Sequence, residues 1–228
     1  MKNLIKILLV CFVTSVTAGN NDIYLTQSGG GAFTLTIDQI GSTNKVGTSG
    51  ARVTMAGASL TGDFKQQGAT NTLAAAIAQA NSSSWTMYQI GDSNTSTLTA
   101  GGGGSVASSD FDYNATGNTN VLTWLQGSSS AASGGNFDAA ITGNTNDLNI
   151  RCETIGCVNN WDIDGNSNDI DVTQIGTDDK SITFTLVGDS NDVDIDQTTA
   201  ASGVTDTISL VAASTSGTIN IDQCTSGC

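Results

Sequence analysis

Apolar and polar residues alternate along most of this chain, and glycine interrupts the alternation at short intervals. In the segment LTIDQIGSTNKV, alternation places Leu35, Ile37 and Gln39 on one face of an extended run. A period of two is typical of a β-strand with one buried face. The segment GSTN then ends the run, where we expect Gly41 to accept the positive φ of a tight arc and Asn44 to hydrogen-bond nearby main chain.

This arc sequence, Gly-x-Ser/Thr-Asn, occurs seven times. Successive glycines lie 27, 23, 26, 26, 22 and 23 residues apart. A short, recurring period is typical of a solenoid in which each unit stacks on its neighbours. The glycine and asparagine of each arc are Gly41 and Asn44, Gly68 and Asn71, Gly91 and Asn94, Gly117 and Asn120, Gly143 and Asn146, Gly165 and Asn168, and Gly188 and Asn191.

Each repeat contains a second, less regular arc. Gly176 follows Gly165 by 11 residues and precedes Gly188 by 12, and the strand before it ends in Gln174. One repeat is therefore strand, arc, strand, arc. We predict an all-β fold, a β-solenoid of stacked strand-arc-strand repeats of about 23 residues that form two parallel sheets.

Stacking in register would place like residues above one another. Inward amides would then form ladders in which each carbonyl accepts from the adjacent repeat, and we assign this role to the arc asparagines and to Gln39, Gln66, Gln89 and Gln174. The alternative is that these are ordinary turn residues facing water. The place of Gln39 holds an apolar residue in the later repeats, so we expect apolar stacking there. These residues are Ala115, Ile141, Ile163 and Leu186.

Residues 1–18 have the layout of a secretory signal peptide: two lysines, an apolar run and a small-residue end at Ala18. We predict removal of 1–18 and a single repeat domain over 19–228 that is secreted to the extracellular space or cell surface. No later stretch approaches the roughly 20 apolar residues of a membrane span.

Charge and composition exclude several functional classes. Without the two lysines of the leader, 7 − 2 = 5 basic residues face 21 acidic ones, a formal charge of −16, which argues against nucleic acid as a partner. The chain has no histidine, so catalysis by Ser-His-Asp or Cys-His and the usual zinc sites are excluded. We expect neither an enzyme nor a cofactor.

Four cysteines remain after the leader, an even number that favours disulfides in an exported chain. In a stacked fold Cys152 and Cys224 would lie about three repeats, roughly 14 Å, apart, beyond the ~7 Å between Cα atoms that a disulfide allows. We therefore expect two local pairs, Cys152 with Cys157 and Cys224 with Cys228.

A strand that ends in Gln-x-Gly, followed by two residues, Asn and another alternating strand, resembles the curlin repeat of bacterial functional amyloid. QIGSTN at 39–44, QQGATN at 66–71 and QIGDSN at 89–94 match this pattern. The resemblance implies a subunit that is exported unfolded and polymerises outside the cell into adhesive fibres of the biofilm matrix. It also implies that the main partner is another copy of the subunit itself. A nucleator subunit and outer-membrane secretion machinery would be further partners.

The ends of the predicted solenoid bear on assembly. The stretch 20–32, in which Gln27 precedes Gln39 by twelve residues, reads as another rung in place of a cap. Uncapped end rungs expose backbone groups that can pair with another copy.

Three alternatives remain at the level of sequence. The first is a β-solenoid adhesin or viral fibre component that stays monomeric or forms a fixed assembly. The second is a parallel β-helix enzyme acting on polysaccharides through an aspartate cluster at Asp162, Asp164, Asp169 and Asp171. The third is calcium binding, for which Asp162 and Asp164 are weak candidates because the closing glutamate of an EF-hand is missing.

Overall fold

The fold was analysed in a computed structural model, which describes residues 20–27, 32–48, 50, 52–56, 59–79, 82–101, 109–127, 135–153, 157–177, 180–200 and 205–225. The predicted signal peptide, residues 1–18, lies outside this range. The described residues form strands and turns, without a helix. The strands are β1 (Asn20–Ile23), β2 (Thr26–Gln27), β3 (Phe33–Ile40), β4 (Thr43–Val46), β5 (Val53–Ala56), β6 (Leu60–Gln67), β7 (Thr70–Gln79), β8 (Ser84–Ile90), β9 (Ser93–Ala100), β10 (Asp110–Thr116), β11 (Thr119–Gln126), β12 (Asn136–Cys152), β13 (Val158–Gly176), β14 (Ser181–Thr199) and β15 (Thr207–Thr225).

Each complete coil consists of a strand in a first sheet, an arc, and a strand in a second sheet. The first sheet runs β3-β6-β8-β10 and continues into the first halves of β12 to β15. The second runs β1-β4-β7-β9-β11 and continues into their second halves. All of these pairings are parallel, so the predicted all-β solenoid with two parallel sheets is confirmed.

We name each coil after its arc glycine, from the Gly41 coil to the Gly188 coil. The last one, 207–225, is called the C-terminal coil. Before the Gly41 coil, β1 and β2 form only a second-sheet segment, which we call the half-coil (20–27). The register between neighbouring coils advances by 27 residues at Phe33 and Leu60, which is the spacing of Gly41 and Gly68, and by 26 at Ser181 and Thr207.

Alternation fills the space between the sheets with one continuous apolar core. Its middle is aromatic: Trp85, Trp124 and Trp161 are buried, and Trp124 stacks on Phe137 with ring centroids 4.3 Å apart. Gly62 makes room for Trp85, because a Cβ at residue 62 would lie 1.9 Å from the indole. Neighbouring coils therefore adjust to each other's size instead of repeating one side chain.

Candidate functional site: amide ladders and open end coils

The arc glycines are required by the close approach of neighbouring coils. A Cβ at Gly68 would lie 1.7 Å from the carbonyl oxygen of Gly41, and one at Gly91 would lie 1.8 Å from that of Gly68. The positive φ expected of Gly41 is wrong, since the described glycines with positive φ lie elsewhere, as at Gly47 and Gly101 in second arcs. Neighbouring coils share backbone hydrogen bonds at the arcs, such as Gly41 N–H to Gln67 O at 2.9 Å.

The arc asparagines are buried and form one ladder through the solenoid. Each Nδ2 donates to Oδ1 of the asparagine in the following coil, at 2.7–3.2 Å. The same Nδ2 also bonds main chain of that coil, as from Asn44 to Gln67 O and from Asn71 to Ile90 O, both at 2.9 Å. The ladder begins at Asn21 of the half-coil, before the first Gly-x-Ser/Thr-Asn motif. Its members are Asn21, Asn44, Asn71, Asn94, Asn120, Asn146, Asn168 and Asn191.

Glutamine forms two separate ladders, one in each sheet. In the first sheet Gln66 donates to Gln39 and Gln89 donates to Gln66, at 2.9 and 2.8 Å. This ladder ends at Gln89, whose Oε1 accepts from Tyr113 Oη and Ser96 Oγ, both at 2.7 Å. Burial raises the pKa of the Tyr113 phenol, so it remains a neutral donor.

The second ladder lies in the second sheet, near the C-terminus. Gln197 donates to Gln174 at 2.8 Å, and Gln223 donates to Gln197 at 2.7 Å. Our sequence analysis proposed Gln174 alone. Gln197 and Gln223 were missed in the sequence analysis. The spacing could have revealed Gln197, since Gln174 and Gln197 each follow an arc asparagine by six residues.

A cysteine interrupts this second ladder. Cys152 occupies the register position between Gln126 and Gln174. Both side-chain atoms of buried Gln126, and Nε2 of Gln174, have no hydrogen-bond partner. Cys152 forms a disulfide with Cys157, with Cα atoms 6.5 Å apart, which joins the end of the Gly143 coil to the start of the Gly165 coil. Cys224 is also disulfide-bonded, while its expected partner Cys228 lies outside the described residues.

A buried ion pair with no recognisable signal in the sequence connects the C-terminal coil to the coil before it. Nζ of Lys180 lies 3.9 Å from Asp206 Oδ1, and both side chains are inaccessible to solvent or nearly so. Thr199 contacts both groups through its hydroxyl, and Lys180 N–H donates to Asp206 Oδ1 at 3.1 Å. Lys180 precedes β14, whereas Thr199 ends it and Asp206 precedes β15, so only the stacking of these two successive connections brings the three residues together.

Outward aspartates are divided between the two outer faces. Asp162 and Asp164 lie on the first sheet, whereas Asp169 and Asp171 lie beyond the Gly165 arc on the second. The aspartate cluster considered for an enzyme is therefore not assembled, because the arc reverses the chain between its halves. Among the described residues, no group of three or more potential metal ligands is placed to hold an ion.

On the second sheet the aspartates form a column of like charge. Asp169 lies between Asp147 and Asp192 in the register, and Asp171 is beside it. Burial raises the pKa of Asp169, and repulsion from Asp171, Asp147 and Asp192 raises it further. This face of the solenoid is strongly acidic.

The two ends of the solenoid differ. At the C-terminal end, the core side chains Ile219 and Ile221 are 44% and 45% exposed, and no described segment covers them. At the N-terminal end, the half-coil covers the second sheet only, and within the described residues β3 pairs with β6 alone. Among the described residues, both ends therefore have strand edges without a partner strand.

Comparison with known families agrees with this architecture. The family model of the curlin associated repeat matches residues 165–198, from the Gly165 arc to near the end of β14. In this stretch the chain is similar to the curlin associated repeat. The repeat family is structural, non-enzymatic and associated with extracellular surface fibres.

The match thus covers the second half of the Gly165 coil and most of the Gly188 coil. No curated protein and no solved structure is significantly similar to the chain. In the described part of the chain, no helix has the length and apolarity needed to cross a membrane.

Proposed function

We propose that this curlin-like protein is a secreted structural subunit that self-assembles through its end coils into extracellular amyloid-like fibres for adhesion and biofilm matrix. The observation that carries the proposal is the open C-terminal coil. It is a complete strand-arc-strand unit with Ile219 and Ile221 half exposed, and no described segment covers it. An uncovered parallel edge of this length is a template for another strand.

The acidic outer faces support growth along the axis. Side-by-side contact would bring columns such as Asp147, Asp169 and Asp192 of two copies together, and their repulsion opposes lateral association. End-to-end contact avoids this cost. A nucleator subunit and outer-membrane secretion machinery are the further partners that we propose, by analogy with curlin subunits.

The experiment is fibre growth from the purified chain 19–228, followed by negative-stain microscopy and fibre diffraction. We expect unbranched fibres with a meridional reflection near ~4.8 Å. A chain that stays monomeric at high concentration would contradict the proposal and favour a monomeric adhesin.

A pair of variants tests the end coil itself. Ile221→Lys places a charge in the exposed core column, whereas Val211→Lys, at a residue 65% exposed, places the same charge on the outer face of the same strand. We expect Ile221→Lys to slow elongation about tenfold or more, equivalent to ~1.4 kcal/mol, and Val211→Lys to have little effect. Equal rates would show that growth does not use this edge.

A further inference from the structure

The half-coil resembles the Gly165 coil in sequence, although it lies at the N-terminal end. Its segment NDIYLTQ, 21–27, is identical at five of seven positions to NDIDVTQ, 168–174, of the Gly165 coil. The coil that follows it in the same sheet continues Asn44 with KVG and has no glutamine at the equivalent position. The half-coil thus resembles the strands at the opposite end of the molecule.

Within its own chain, the half-coil lies on coils of another type. Asn21 pairs in register with Asn44 and continues the asparagine ladder. The register neighbour of Gln27, however, is Met55, which is buried in the core. The glutamine position of the half-coil is therefore not matched by glutamine on this side.

The C-terminal coil offers the match. Its second-sheet strand presents Ile219, Ile221 and Gln223 in the columns that correspond to Ile23, Leu25 and Gln27. Nε2 of Gln223 donates to Gln197 Oε1, and among the described residues no donor reaches Oε1 of Gln223. Because each donor in this ladder points towards the preceding coil, an added strand with glutamine in this column would continue it.

We propose that the half-coil of one copy docks on residues 216–225 of a second copy, in the parallel register that sets Asn21 opposite Gly217 and Gln27 opposite Gln223. This inference rests on the proposed function and specifies the contact between successive copies, which we call the joint. Assembly is head to tail, and the second copy itself is the partner.

Charge supports this register. The aspartate column of the second sheet ends with Asp192, and the next residue in it is the neutral Thr218. In the joint Asp22 follows Thr218, so no carboxylate is set directly against another. On its other side Asp22 pairs in register with Lys45 of its own chain. Alternation of neutral, acidic and basic residues replaces the repulsion that a further aspartate would cause.

The joint is continuous in one sheet only. The half-coil adds a strand to the second sheet, whereas β3 is the first described strand of the first sheet. Among the described residues, no strand occupies the first-sheet position between 207–214 of one copy and β3 of the next. The joint buries less edge than the contact between two complete coils, and we expect it to be the weakest layer of the fibre.

Cross-linking between copies tests the register. Fibres are grown from an equal mixture of Asp22→Cys and Thr218→Cys chains, oxidised, digested without reduction and examined by mass spectrometry. Adjacent parallel strands place these Cα atoms at ~4.8 Å, within the ~7 Å limit of a disulfide. The control mixture, Asp22→Cys with Asn220→Cys, is shifted by two residues, to ~8 Å.

We expect the peptide pair containing residues 22 and 218 to be at least about tenfold more abundant than the pair containing 22 and 220. Fibres without this difference would overturn the joint and leave the proposed function intact. A mixture that forms no fibres would overturn both.

A series of variants that add or remove one charge gives a second, independent readout. Thr218→Asp sets a carboxylate against Asp22 of the next copy, so elongation should slow, and Asp22→Asn in the same chain should restore part of the rate. A slow variant that Asp22→Asn does not rescue would mean that Thr218→Asp acts within its own coil, and would contradict the joint. High salt should diminish the difference between the variants.

Discussion

The coils at the two ends of the solenoid carry their glutamines in different sheets. Gln39, Gln66 and Gln89 form a ladder in the first sheet, before the arc. Near the other end the ladder of Gln174, Gln197 and Gln223 lies in the second sheet, after the arc. The asparagine ladder, by contrast, passes through both regions without interruption as far as Asn191.

This difference separates what the arc requires from what a strand permits. The arc asparagine bonds the main chain of the next arc as well as the next asparagine, so it is tied to the arc backbone. A strand glutamine depends mainly on the neighbour in its column, and Gln126 shows the result where that neighbour is Cys152. A glutamine ladder, in either sheet, therefore needs glutamine at the same register position of successive coils.

The outer faces differ between the same two regions. Along one column of the second sheet, Lys45 and Thr72 near the N-terminal end give way to Asp147, Asp169 and Asp192. The acidic surface thus belongs to the region that also contains the curlin associated repeat.

Substitution of an arc glycine should cause the largest loss of stability, and it should do so in both regions because both contain the same arc. Gly68→Ala would place a Cβ 1.7 Å from Gly41 O, and Gly188→Ala one 2.1 Å from Gly165 O. We expect each to lower the free energy of unfolding by about 3 kcal/mol or more, measured by urea denaturation. Gly50→Ala, whose Cβ meets no atom within 4 Å, is the control. A mild effect at Gly188 alone would show that the arcs are not equivalent.

The next effect should be confined to the C-terminal region. Lys180→Met leaves the buried Asp206 carboxylate without its cation, at a cost of about 3 kcal/mol. Hydrogen exchange should accelerate most in 205–225, where the C-terminal coil depends on this pair. Lys65→Met, at an exposed lysine, should change exchange little, and uniform acceleration along the chain would contradict a local role.

A matched pair of glutamines should separate a working ladder from an interrupted one. Gln66→Leu removes a buried amide that bonds Gln39, Gln89 and Thr72 O, and should cost about 2 kcal/mol. Gln126→Leu removes a buried amide without partners, so stability should be unchanged or higher. Equal losses in thermal or urea unfolding would mean that glutamine contributes through packing alone.

The smallest effect concerns the acidic column. Because the pKa of Asp169 is raised, the folded protein holds the proton of this carboxyl group more tightly than the unfolded chain does. Ionisation of Asp169 therefore lowers the free energy of unfolding as the pH rises above 3.8, the ordinary pKa of the group. Asp169→Asn should raise Tm at pH 7 by about 1–2 °C, and the gain should vanish near pH 3. Asp164→Asn, whose column neighbours are Thr142 and Val187, should show no such gain.

The stacked β fold could be predicted from the sequence because its two signals are local. Alternation marks each strand, and the recurring Gly-x-Ser/Thr-Asn marks each arc, as in the segment around Gly41. The stretch 20–32 was expected to form a rung, and the structure gives it one sheet of a coil, in 20–27.

Features that depend on the register between coils could not be predicted in the same way. The reason for glycine at Gly68 is the carbonyl of the preceding coil, which no single repeat reveals. The orphaned amide of Gln126 follows from the residue that stacks next to it, and stacking partners depend on second arcs of unequal length.

The sequence by itself determined that this chain stacks strands and that seven of its arcs carry glycine and asparagine, because alternation and the arc motif recur along the chain. It also determined that the surface of the C-terminal region is acidic, because the aspartates are concentrated there. Only the tertiary structure decided which side chains share a column. It divided Asp162 and Asp169 between opposite faces, brought Lys180 to Asp206, and left the C-terminal coil open. Columns are set by contacts between residues 22 to 27 positions apart, and such contacts exist only once the coils are stacked.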